Sequence, residues 1–132
     1  MAYIWPKVGL LLLSGLLSVY CQNPGSPQPV PVNGTDVVNA SEFAVQEFND
    51  KYNKDDYIVL QMEILNATQQ VVSGLMYYLE VAIQCTYCKK REPINSACTS
   101  CNGQKVCHFQ VWEQAWLDSI ELVKADCPSD WS

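Results

Sequence analysis

The six residues QQVVSG, 69 to 74, stand between two segments that alternate like strands, and their reading decides the fold. Upstream, Ile58, Leu60, Met62 and Ile64 alternate with Val59, Gln61, Glu63 and Leu65; downstream, Leu75, Tyr77, Leu79, Val81 and Ile83 recur at every second place. A period of two sends successive side chains to opposite faces of a sheet. Ser73-Gly74 is an ordinary turn dipeptide, so the stretch joins two antiparallel neighbours. Two further segments, 105–113 (KVCHFQVWE) and 119–126 (SIELVKAD), continue the strand pattern.

Before the sheet, the rhythm is that of a helix. In DVVNASEFAVQEFNDKYNK, 36–54, Val37, Ala40, Ala44, Phe48 and Tyr52 recur at three and four, leaving Glu42, Glu47, Asn49 and Asp50 for water. Asn39 and Glu42 have the spacing of a reciprocal cap, which places the helix start nearer 39 than 36. One helix followed by four antiparallel strands makes an α+β chain. The helix at about 39–54 is the only element long enough to cover the sheet's apolar face.

The ends and the charge narrow the function. Lys7 ahead of GLLLLSGLLSVYC reads as an export leader, residues 1–21, because the apolar run is too short to span a bilayer. Residues 22–34, rich in Pro, Gly, Asn and Ser, read as a flexible trunk, and 35–132 as one domain. Losing Lys7 with the leader removes one of 8 basic residues against 14 acidic ones and takes the formal charge from -6 to -7. That balance argues against nucleic acid and anionic membrane as partners.

Loss of Cys21 leaves Cys85, Cys88, Cys98, Cys101, Cys107 and Cys127, an even number that in an exported chain reads as three disulfides with the pairing open. CTYC at 85–88 and CTSC at 98–101 would read inside a cell as a four-thiolate zinc site, but export favours disulfides, so no metal is expected. His108 is the single histidine, beside Cys107. A Cys-His catalytic pair would need that thiol free, so neither an enzyme nor a cofactor is expected.

FAVQEFN at 43–49, QVVSG at 70–74 and CHFQVWEQAW at 107–116, with a last cysteine at 127, resemble the secreted, disulfide-containing (type 2) cystatins, inhibitors of papain-like cysteine proteases. The resemblance covers roughly residues 34–128. It implies one N-terminal helix packed across a four- to five-stranded antiparallel sheet and a wedge made of three pieces. Gln70, Val72 and Gly74, with Val71 and Ser73 between them, match the first binding loop. Ala115-Trp116 matches the second, where the family usually has Pro-Trp. Gly34 is the better match to the trunk glycine, with Gly25 as the other candidate.

The resemblance further implies bridges Cys88–Cys98 and Cys107–Cys127. Cys85 and Cys101 then pair by nesting outside the first, with a bend or bulge between 85 and 88. Should they pair between chains instead, the expected monomer becomes a dimer. The partners implied are papain-like proteases such as cathepsins L, S or B. Asn53, in the loop after the helix, falls near the position through which some cystatins bind legumain, although Tyr52 and Lys54 flank it in place of the usual Ser and Asp. Asn33, Asn39 and Asn66 head glycosylation sequences, and a glycan at Asn33 conflicts with insertion of Gly34 into a cleft. The alternative function is a secreted cystatin-like binding, defence or reproductive protein without protease inhibition, motivated by Ala115 and by a shortened trunk.

Overall fold

A computed structural model describes residues 25–91 and 98–131; residues 1–21, expected to be a leader, lie outside them. The elements run β1 (Gln28–Pro29), α1 (Thr35–Glu47), a π-helical turn (Phe48–Tyr52), β2 (Tyr57–Val71), β3 (Leu75–Lys89), β4 (Ser100–Gln114), a 3-10 turn (Ala115–Leu117) and β5 (Ser119–Asp126). The five strands form one antiparallel sheet in chain order, and α1 lies across it.

The core follows from the two periods. Tyr77, Leu79, Val81 and Ile83 of β3 and Cys107, Phe109 and Val111 of β4 are buried on the helix-facing side, against Val37, Ala40, Ala44, Val45 and Phe48. The rings of Phe48 and Phe109 meet with centroids 5.9 Å apart. Ser41, also on the buried face, is satisfied by donating to Gln61 Oε1 at 2.6 Å.

Three expectations change. The helix begins at Thr35, not near 39: Gly34 is its N-cap, Val38 N–H donates to the Gly34 carbonyl at 2.9 Å, and Asp36 sits in the first turn where a carboxylate suits the dipole. Asn39 is therefore an exposed residue inside the helix. At its other end the helix widens into a π turn, and Asn53 N–H reaches back to the Phe48 carbonyl at 2.7 Å. That wider turn breaks the spacing of four, so Tyr52 is exposed instead of following Phe48 into the core.

In β2, register shifts at Tyr57/Val59, Gln61/Glu63 and Ile64/Asn66 interrupt the alternation. Val59 and Ile64 are buried while Leu60, Met62 and Leu65 are exposed, so Ile64 does not share a face with Leu60 and Met62. The unpaired edge of β2 is completed at Val59 by a side chain: Asn49 Nδ2 donates to the Val59 carbonyl at 3.0 Å and Asn49 Oδ1 accepts from Val59 N–H at 2.8 Å.

The two central strands, β3 and β4, are each longer than the helix that covers them. At the rise of an extended chain they reach about 50 Å, against about 20 Å for the helix, so they overhang it at one end. That overhang carries Cys85–Cys101 and Cys88–Cys98; Cys107–Cys127 ties β4 to the chain after β5. The ladder is irregular on both sides of the CTYC segment: against β4 between Gln84 and Thr86, and against β2 between Cys85 and Lys89, where the expected bulge lies. Trp131 packs over Gly103 beside the Cys85 sulfur, with Lys105 Nζ 4.1 Å from its ring centre.

Candidate functional site

The opposite end of the sheet is formed by two loops and the start of the trunk. The first loop, Val72–Gly74, links β2 to β3. Ser73 and Gly74 both have positive φ, 44° and 120°, and a Cβ on Gly74 would lie 2.4 Å from the Glu113 carbonyl oxygen. Only glycine fits this approach of the first loop to β4.

β4 also grips the loop by its backbone. Trp112 Nε1 donates to the Val72 carbonyl at 3.0 Å, and Gln114 Nε2 donates to the Ser73 carbonyl at 3.2 Å. Trp112 is half-buried and tied, whereas Trp116 is 63% exposed, so of the two tryptophans Trp116 is the free surface. The second loop is one 3-10 turn from Ala115, closed by Asp118 N–H to the Ala115 carbonyl at 3.1 Å, with Asp118 itself left-handed at φ 48°.

The trunk reaches this end at Gly25, not Gly34. Gln28 and Pro29 pair with Gln69 and Thr68, which carries the preceding residues up beside the first loop. Gln70 Nε2 donates to the Gly25 carbonyl at 2.6 Å, and a Cβ on Gly25 would sit 3.7 Å from the Val71 carbonyl oxygen. Gly34, as helix cap, lies on the far side of β1 along the chain and contacts Pro31. The exposed asparagine of the Asn33 sequence belongs to the turn before the helix, away from Gly25 along the chain.

Together these segments present an apolar edge: Val71 at 56% exposure, Val72, Trp116, and Leu117 at 61%. Leu117 was not among the residues expected there, and Gly25 was the less favoured of the two trunk glycines. An apolar residue directly after a loop tryptophan was the available signal for the first. For the second it was Pro27 and Pro29, which leave Gln28 as the single backbone donor between them for an edge pairing.

Other candidates are occupied elsewhere. Asn53 is a structural hub: its side chain donates to Asn49 Oδ1 at 3.1 Å and the Tyr57 carbonyl at 2.9 Å, accepts from Asp55 N–H at 3.0 Å, and its carbonyl accepts from Lys90 Nζ. Cys107 is buried in its disulfide while its neighbour His108 is exposed, in register between Glu80 and Asp126. Asn66 is exposed on β2 and lines a groove of about 240 Å³ that also includes Tyr78 and His108. Among the described residues, no cluster of three or more His, Cys, Asp or Glu side chains could hold a metal ion.

One helix across a five-stranded antiparallel sheet, with two hairpin loops and a trunk at one end, is an architecture shared with solved structures. Dimeric human cystatin F superposes with a TM-score of 0.69 at 30% identity, over 82% of this chain and 90% of that one. Al-CPI gives a TM-score of 0.67 at 23% identity, over 79% of this chain and 100% of that one, and speaks to the fold alone. A cystatin of Pseudechis australis is 38% identical over 114 residues, covering 79% of this chain and 80% of its own. The cystatin domain model matches residues 25–116. The chain belongs to the cystatin family, whose members in general inhibit cysteine proteases and are not themselves enzymes.

Proposed function

We propose that this protein is a secreted, reversible, tight-binding inhibitor of papain-like cysteine proteases such as cathepsins L, S or B. Its wedge consists of the trunk at Gly25, the QVVSG loop and the Ala115-Trp116-Leu117 turn. The observation that carries this reading is the apolar edge itself, with Val71, Trp116 and Leu117 each more than half exposed at one end of the sheet. Valines are stiff at χ1 and Trp116 is a large rigid aromatic, so their burial in a cleft gives up little side-chain freedom.

The loop's backbone explains how such a wedge escapes hydrolysis. Attack by a thiolate needs the scissile carbonyl to enter an oxyanion hole. The carbonyls of Val72 and Ser73 already accept hydrogen bonds from Trp112 and Gln114. Hypothetical cleavage at this loop would first require those bonds to break. The position of Gly25 beside the first loop supports the inhibitory reading over the non-inhibitory one, and no legumain contact is proposed for Asn53, whose side chain would have to give up three hydrogen bonds.

Titration of papain and of cathepsins L, S and B with the folded protein tests the reading. Inhibition that saturates at one equivalent, with the inhibitor recovered intact, is expected. Full protease activity at micromolar inhibitor would refute it.

A further inference from the structure

Gln70 and Tyr78 sit on neighbouring strands of one hairpin. Gln70 is paired with Met76 and Tyr78 with Thr68, so the two side chains are diagonal neighbours, a separation that long side chains can bridge. They do: Tyr78 OH donates to Gln70 Oε1 at 2.7 Å, and Gln70 Nε2 donates to the Gly25 carbonyl at 2.6 Å. The chemistry of the ends fixes the direction of this relay. A backbone carbonyl only accepts, so the amide nitrogen must face Gly25; the amide oxygen then faces Tyr78, whose hydroxyl must donate.

Among the described residues, the trunk has little else to hold it there. β1 is only Gln28–Pro29, and Pro29 lacks a backbone donor. Val30 N–H bonds the Ala67 carbonyl at 3.1 Å, below the pairing at Gln28, whereas Gly25 lies above it, towards the first loop. Among the described residues, the Gln70 amide thus bonds the trunk beyond β1, and Tyr78 bonds the other end of that amide.

We propose that Tyr78 is a positioning residue: acting through Gln70, it holds the trunk at Gly25 in place beside the first loop before a protease arrives. The proposal rests on the inhibitory reading for its consequence and on the hydrogen-bond relay for its cause. A trunk already ordered loses less conformational freedom on binding, so the relay strengthens inhibition without touching the protease.

The test is Tyr78→Phe, which keeps the ring and removes the donor, with Gln70→Met and the double variant completing a cycle in the full chain. Tyr78→Phe is expected to raise the inhibition constant about three- to tenfold, the scale of one neutral hydrogen bond. It should add almost nothing in the Gln70→Met background. Unchanged thermal unfolding of both single variants separates positioning from stability. Independently of inhibition, the NMR order parameter of the Ser26 amide should fall below about 0.6 in Tyr78→Phe, with core amides such as Val81 unaffected. An ordered trunk in Tyr78→Phe, additive effects in the cycle, or a freed trunk with undiminished inhibition would each overturn the proposal. A wild-type protein that inhibits nothing would sink the inhibitory reading instead, and the Ser26 measurement would still decide whether Tyr78 holds the trunk.

Discussion

Gly74 and Trp116 occupy their places for opposite reasons. Motif chemistry alone suggests glycine where a partner approaches; in the folded chain the close approach is internal, at the Glu113 carbonyl. Gly74→Val is therefore expected to lower thermal stability and inhibition together, because it clashes with backbone at a φ of 120° that a β-branched residue avoids. Trp116→Ala should behave otherwise. A side chain that is 63% exposed contributes little to the fold, so the melting temperature should stay put. Binding should weaken by about 2 kcal/mol or more, read from inhibition constants, as for an aromatic anchor at an interface. Ala115 opens the 3-10 turn, the one position in a helical turn that proline tolerates. Ala115→Pro should tighten inhibition by about 0.4 to 1 kcal/mol through a stiffer free loop, and a drop in melting temperature would show that the Ala115 N–H is needed by the sheet.

Among the elements, those whose burial follows a simple period were readable in advance. Val37, Ala40, Ala44 and Phe48 mark one helix face, and the buried residues of β3 from Tyr77 to Ile83 fall on strict alternation. What escaped reading depends on a partner elsewhere in the chain. A bulge such as that between Gln61 and Glu63 leaves composition unchanged and shifts only which neighbour each residue faces. The widened turn at Phe48–Tyr52 is coupled to Asn49, whose amide seals the edge of β2 at Val59, in a different element. Asn49→Ala would leave both backbone polar groups of a buried residue without that partner. A loss of about 1 to 3 kcal/mol in urea unfolding is expected, with inhibition constants unchanged because the proposed wedge lies at the other end. At the apolar edge, the QVVSG loop and Trp116 were visible as a motif, whereas for Gly25 over Gly34 the sequence held only the indirect mark of Pro27 and Pro29. The place of Gly25 is set by the pairing of Gln28 with Gln69, a long-range contact that local spacing does not encode.

At the scale of the whole molecule, the apolar edge of the two loops and two of the three disulfides stand at opposite ends of one sheet, with Tyr77 buried between the sheet and the helix. Burial raises the Tyr77 phenol above its ordinary value; the hydrogen bond from Gln69 opposes this, and Glu113 and Asp36 add to it. Because the unfolded chain then releases this proton first, the contribution is complete below about pH 10 and is lost as pH rises from there through the raised folded value. Denaturation midpoints should fall above that pH in the wild type and fall less steeply in Tyr77→Phe. The strand order carries a last consequence, for the sequence of events during synthesis. From β3 onward every strand pairs with the one made just before it, so the sheet can grow hairpin by hairpin as the chain emerges. The helix, made before β2 to β5, rests against all four of them. Among the described elements it is one of the first to leave the ribosome, and its docking site is complete only after β5: an element made early is the one that must wait.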